Sequence, residues 1–187
     1  MLFARSHHGV IVWRSTHVFV FGGCEHYIGS GKDLTVHCEA LTLALPRGWK
    51  QLPDMLEGKS VFNPCLYQEL IYLCGFGSTA IEAFNPANSC FEELNLALPE
   101  AHTCLLYVSN SVLLVYTTTY LLRFSVNSTG HLVELAPRVV YREEIMRVQN
   151  SHPVLDHTHK VVYTVCNGKC YSFKMTTRYK GPVWALE

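Results

Sequence analysis

Eight cysteines carry the strongest intrinsic chemistry in this sequence. Cys24, Cys38, Cys65, Cys74, Cys90, Cys104, Cys166 and Cys170 are scattered along the whole chain, and several sit inside apolar runs, where a free cysteine behaves as a small hydrophobe. Cys166 and Cys170 flank an Asn-Gly step, so across a hairpin they would make a redox pair or half a zinc site. That spacing matches no standard zinc knuckle, and no second pair accompanies it. His157 and His159 would share one side of an extended strand. With no third ligand beside them, they read as a surface pair. Asn127-Ser128-Thr129 is a glycosylation sequon, which in a cytosolic chain is simply a turn. No nucleophile elbow, phosphate loop or paired carboxylates occur. The expectation is therefore a protein without catalytic residues, metal or cofactor.

The balance of charge narrows the partners. Fifteen basic residues face fifteen acidic ones, so nothing here draws a nucleic acid or an anionic membrane, either of which calls for clustered Lys and Arg. A hydrophobic share of 49% with 16% charged residues is that of a globular, core-rich chain. No apolar run reaches the roughly 18 residues that span a bilayer; the longest, Ser111 to Leu122, is broken by three threonines. Met1 to Arg5 lacks the length and basic start of a signal peptide. A cytoplasmic location with reduced thiols is expected.

The elements that must position any site are strands. His17 to Phe21 is a Val/Phe run followed by Gly22 and Gly23, glycines that permit backbone angles and close approaches a side chain would block. Arg5 to Trp13 precedes it, with a turn at Arg14 to Thr16. Cys24 to Thr35 is polar and glycine-bearing and reads as a long loop. Val36 to Leu45 reads as a third strand and Trp49 to Leu52 as a short fourth, after a turn at Pro46 to Gly48. The scheme then recurs. Lys59 to Phe76 and Ala83 to Leu94 form a second copy, with Gly75 in the place of Gly22. His102 to Leu135 forms a third without a glycine pair. Asn150 to Met175, ending in Trp184, forms a fourth, with Asn167-Gly168 as a type I′ hairpin signal. Four copies give about 47 residues each, near the roughly 50 of one repeat class.

Strand, strand, glycine pair, strand, Trp, Leu-Pro is an order that resembles the kelch repeat, and Phe84-Asn85-Pro86 to Phe91 resembles that family's aromatic, turn and Trp signature. Copies one and two carry the diagnostic residues; copies three and four are degenerate. The resemblance implies an all-β, kelch-type β-propeller of four four-stranded antiparallel blades, at residues 5–55, 56–99, 100–136 and 150–187, in a single domain. Residues 137–149 form a link whose Tyr141 to Arg147 core suits a turn or two of helix. The family implies a protein-binding module, with a ubiquitin-ligase substrate or the actin cytoskeleton as partner. Its alternative is an enzyme of the sugar oxidase or isomerase type.

In such a blade the chain reverses at every strand, so the loops between second and third strands leave at the same end as the links between blades. Loops on a rigid scaffold carry recognition. The candidate binding residues are therefore His26, Tyr27, Lys32 and Asp33 from one segment, with Arg142, Glu143 and Arg147 from the other. Phe19, Phe21, Tyr72, Leu114 and Val162 are expected to be buried on inner strands. Trp49, Phe91 and Trp184 are expected to fill the wedges between blades, a place that Leu132 or His131 fills poorly in copy three. Four blades make an incomplete ring the preferred reading. A tight four-bladed ring, pairing into a homo-oligomer and a truncated product are the ways its end faces would be accounted for.

Overall fold

The computed structural model describes residues 1–28, 31–60, 63–92, 94, 96–101, 103–109, 112–117, 120–128, 131–135, 139–140, 154–156, 161–166, 169–174 and 184–186. Among these the chain is all-β. Sheet 1 has the order β1 (Gly9–Trp13), β2 (His17–Phe21), β5 (Cys38–Thr42), β6 (Gly48–Gln51). Sheet 2 comprises β7 (Cys65–Tyr67), β8 (Leu70–Leu73), β9 (Glu82–Asn85) and β10 (Cys90–Glu92). Sheet 3 comprises β11 (Thr103–Ser109), β12 (Val112–Thr117), β13 (Tyr120–Val126) and β14 (Leu132–Glu134). Sheet 4 comprises β16 (Val154–Asp156), β17 (Val161–Cys166), β18 (Lys169–Lys174) and β19 (Trp184–Leu186). Every pairing is antiparallel; the four strands of each sheet follow in chain order with an inserted segment between β2 and β5, and sheet 3 has a fifth strand.

Three segments differ from the expectation. Cys24 to Thr35 is not an irregular loop: β3 (Cys24–Ile28) and β4 (Gly31–Leu34) pair as a two-stranded hairpin between the second and third strands of sheet 1. The first strand begins at Gly9 rather than Arg5, because Arg5 turns inward to a buried carboxylate. Within the expected link, β15 (Val139–Val140) pairs with β13; the helix expected at Tyr141 to Arg147 lies outside the described residues. The turn at Arg14 to Thr16 is present, with Arg14 and Ser15 at φ 49° and 53°. Gln68 and Glu69 turn the same way in sheet 2, at 51° and 64°, the positive-φ pair that matches strand twist in a tight hairpin.

Side chains alternate across a strand, so an inner strand covered on both sides must be apolar throughout. Sheet 1 sends Phe19, Phe21, Cys38 and Ala40 to a cluster with Ile71, Leu73 and Phe84 of sheet 2. Sheet 2 sends Tyr72, Cys74, Ile81 and Ala83 the other way, to Leu113, Val115, Leu122, Phe124 and Leu132 of sheet 3. Phe84 forms the joint between sheets 1 and 2, its ring lying 5.4 Å from Phe19, 5.5 Å from Phe21 and 5.2 Å from Phe91, edge-on in each case.

Phe91 therefore fills the wedge as expected, and Leu132 is buried despite its size. Trp49 does not fill that wedge: its register partner is Leu41, on the face of sheet 1 turned away from sheet 2. Leu114 is only half-buried, since the alternation of β12 turns Leu113 and Val115 towards sheet 2 instead. The side chains of Val162 and Trp184 lie outside the described residues. Truncating Phe84 to Ala should cost about 3–5 kcal/mol. Guanidinium unfolding should show a lowered midpoint with unchanged slope, and a loss below about 1 kcal/mol would contradict this joint.

Candidate binding face

The end of sheet 1 that carries the β3–β4 hairpin is built on Gly22 and Gly23. Both have positive φ, 57° and 108°, and a Cβ on either would collide with a backbone carbonyl oxygen, that of Lys59 or of Ser6. The close approach lets the Gly23 N–H donate to the Lys59 carbonyl at 3.0 Å while Ser6 and Cys24 exchange bonds of 2.9 and 2.8 Å. The Met55 N–H donates to the Val36 carbonyl at 2.9 Å. The hairpin base is thus tied to the connection between sheets 1 and 2. Leu34, at the end of β4, lies over Gly58 and Gly77 of that connection and of sheet 2.

Two buried ion pairs stand at this end. Arg5 donates to Glu39 and, through its other terminal nitrogen, to the carbonyls of Gly22 (3.2 Å) and His37 (2.6 Å). Glu39 also accepts from the Leu2 N–H (2.5 Å) and the Phe3 N–H (3.2 Å). In sheet 2, Lys59 Nζ donates to Glu82 Oε1 at 2.5 Å and to the Ala80 carbonyl at 3.2 Å, and Glu82 accepts from the Leu56 N–H at 2.9 Å. The two arrangements repeat. Leu2, Arg5, Ser6 and Leu56, Lys59, Ser60 are one motif, Leu-x-x-(Arg/Lys)-Ser, leading to a glutamate near the start of the third strand. That repetition was available in the sequence and went unread.

Burial alone would raise the Glu39 carboxyl. The bonds from Leu2, Arg5 and Phe3 outweigh it and hold Glu39 below the ordinary carboxylate range. Burial pushes the Cys38 and Cys74 thiols up to about 12, so neither is a nucleophile at neutral pH.

More exposed, and also unanticipated, is His37. Its Nδ1 lies 3.0 Å from Asp54 Oδ1 and its Nε2 lies 3.8 Å from Glu25 Oε1, while its ring stacks on Phe3 at 4.7 Å. Glu25 belongs to β3 and Asp54 to the connection after β6, so an imidazole between two carboxylates bridges hairpin and link. It offers a cationic or hydrogen-bonding ligand a half-open polar site.

Of the expected binding residues, His26 and Tyr27 lie in β3 and Lys32 and Asp33 in β4, with Tyr27 opposite Lys32 in register and Asp33 exposed. All four lie on the one hairpin. Arg142, Glu143 and Arg147, like His157 and His159, lie outside the described residues. Register pairs Cys170 with Val165 and Cys166 with Lys169, so the two cysteines are not cross-strand partners. Among the described residues no group of three His, Cys, Asp or Glu is placed to hold a metal, and no helix is long and apolar enough to cross a membrane.

No protein-family model matches the chain, and no curated protein sequence does. Solved structures do. A protein of unknown function from Desulfotomaculum acetoxidans DSM 771 superposes with TM-score 0.56 at 10% identity, over 94% of this chain and 67% of that one. YjhT gives 0.56 at 11% identity, over 100% and 70%. A catalytically inactive virginiamycin B lyase from Staphylococcus aureus, with quinupristin, gives 0.52 at 12%, over 94% and 58%. The fold is of the β-propeller type. At these identities the likeness is one of fold alone, and the chain spans 58 to 70% of the length of these structures. The four sheets correspond to blades.

Because Glu39 titrates lower in the folded chain than in the unfolded one, its contribution to stability is complete above the ordinary value of about 4.3 and is lost as pH falls through the folded value. Replacing Glu39 by Gln should cost about 3–5 kcal/mol at neutral pH, since it strands a buried guanidinium. The gap between wild type and variant should close as the pH falls below 4.3. A gap that stays constant with pH in chemical denaturation would contradict the assignment.

Proposed function

We propose that the chain is a kelch-type propeller segment that serves as a protein-interaction module, binding a protein or peptide through the face bearing the β3–β4 hairpin. The observation that carries this reading is the bracing of the hairpin, with Leu34 seated over Gly58 and Gly77 and Gly23 bonded to the Lys59 carbonyl. A rigidly mounted polar hairpin loses little entropy on binding. The glycine pair after β2, the Phe84 to Phe91 signature and the repeated motif before β1 and β7 support kelch type. A ubiquitin-ligase substrate or an actin filament is the partner class which that family suggests. A reducing, cytoplasmic setting fits the free thiols of Cys38, Cys74 and Cys90.

An enzyme acting on a small molecule is the second reading, favoured by one observation, the half-exposed His37 held by Asp54. A single pair of variants separates the two. Glu25→Lys with Asp33→Lys changes the hairpin face, and Arg14→Glu changes the opposite end, where Arg14 meets Glu69 at 2.8 Å. In cross-linking from the source cell, the same partner should be lost about tenfold with the hairpin variant and retained with the Arg14 variant. Equal capture by both variants would overturn the assignment of this face. Turnover of a sugar substrate that disappears with His37→Ala would favour the enzyme.

A further inference from the structure

The imidazole of His37 stands differently towards its two carboxylates. Nδ1 lies 3.0 Å from Asp54 Oδ1, a hydrogen bond, whereas Nε2 lies 3.8 Å from Glu25 Oε1, beyond hydrogen-bond reach. A neutral imidazole carries a single N–H, and the bond to Asp54 assigns it to Nδ1. Nε2 then turns a lone pair towards an anionic oxygen, which repels it. Once the ring is protonated both nitrogens are donors, and the same Nε2 attracts Glu25. The Asp54 contact thus holds in either state, while the sign of the Glu25 contact depends on the proton.

Glu25 also stands at the weak point of the hairpin. In the β3–β4 register Cys24 faces Leu34 and the next pair is Tyr27 with Lys32, so Glu25 and His26 together oppose Asp33 alone. Such a bulge leaves a residue out of the ladder and bends the strand. On one side of it Cys24 is fixed by its two bonds to Ser6; on the other lies the outer part of the hairpin, Tyr27, Ile28, Gly31 and Lys32. The ring itself is anchored. The His37 carbonyl accepts from the Gly22 N–H at 3.1 Å and from Arg5 at 2.6 Å, its N–H donates to Thr35 Oγ1 at 3.1 Å, and Phe3 stacks on the imidazole. Asp54 is held beside Met55, whose N–H is bonded to the Val36 carbonyl. Glu25 is therefore the partner that gives.

We infer that His37 is a proton-operated latch on the hairpin: protonation draws Glu25 onto the ring and braces the outer hairpin against the connection after β6, and loss of the proton releases it. The other charged groups around the ring are Arg5 of the entering segment and Glu39 of β5, which are buried and paired with each other. As regulation of the binding face, the latch rests on the reading proposed above, with that face stiffer in mildly acidic than in mildly alkaline solution. His7, His8 and His26 are the neighbouring imidazoles that control variants must separate from it.

Hydrogen–deuterium exchange of the full chain, read on peptides covering residues 24–34 and corrected for the intrinsic rate at each pH, tests this. Wild type should be about three- to fivefold better protected at about pH 6 than at about pH 8, the scale of a partly exposed ion pair. Glu25→Gln, which removes the charge and keeps the shape, should abolish the difference, as should His37→Gln. His7→Gln, His8→Gln and His26→Gln should each keep it. Circular dichroism establishes that each variant is folded, and Glu25→Ala replaces Glu25→Gln if that one is not. Equal protection at the two pH values would overturn the latch, and so would a difference that survives Glu25→Gln or disappears with one of the three control variants. No partner enters the measurement, so its failure leaves the binding face to be decided by the capture experiment.

Discussion

The hairpin end of the molecule depends on a buried charge that cannot be left alone. Taking a carboxylate and a guanidinium or ammonium out of water costs several kcal/mol per ion, and only good geometry with every remaining polar position bonded offsets it. Both pairs approach that condition, with the Arg5 Nε left as the one buried donor of the pairs without a partner among the described residues. Glu39 takes two backbone N–H groups besides Arg5, and Lys59 reaches the Ala80 carbonyl besides Glu82. Each cation comes from the segment leading into a sheet and each carboxylate from that sheet's third strand. A slip of the entering segment by one residue would strand two charges in the interior. The pairs thus fix where the chain enters the sheet, and the hairpin beside them inherits that rigidity.

The same device shows what kind of element the hairpin is. Arg5 and Glu39 are 34 residues apart, whereas Lys59 and Glu82 are 23 apart. The difference is the length of Cys24 to Leu34. The β3–β4 hairpin is an insertion into an otherwise repeated unit, placed where the repeat tolerates length, and such places are where a scaffold varies its surface without disturbing its core. In sheet 3 the corresponding connection is a two-residue turn. There the buried Thr117 ends the second strand and its hydroxyl accepts a bond from the Tyr120 N–H at 2.9 Å.

The strands and their order were legible because inner strands covered on both faces must be apolar without interruption, as in Val18 to Phe21, Leu70 to Leu73 and Val112 to Tyr116. The hairpin was not, since Cys24 to Ile28 and Gly31 to Leu34 carry no continuous apolar run. Without an apolar stripe, its glycines and polar residues read as loop. Arg5, Lys59, Glu39 and Glu82 are residue types that default to the surface. Only folding brings partners 34 and 23 positions apart into contact. His37 was missed for a related reason, because its two carboxylates come from separate connections. Trp49 lies on the same face of its sheet as Phe91 does of the next, and that face of sheet 1 is the one turned away from sheet 2.

The segments in front of the first two sheets are held by the same bonds. Leu56 stands three residues before Lys59 and its N–H bonds Glu82, which ties the incoming connection to sheet 2. Leu2 stands three residues before Arg5 and its N–H bonds Glu39 in the same way. Residues 2–6 therefore repeat in front of sheet 1 the end of the connection that stands in front of sheet 2, and they bond the buried carboxylate there. Val10 and Val12 stay exposed on the face of sheet 1 turned away from sheet 2, and uncovered apolar area lowers stability by about 25 cal/mol per Å² rather than by the larger cost of an orphaned ion. With its carboxylate paired, the sheet can hold its shape with Val10 and Val12 in water.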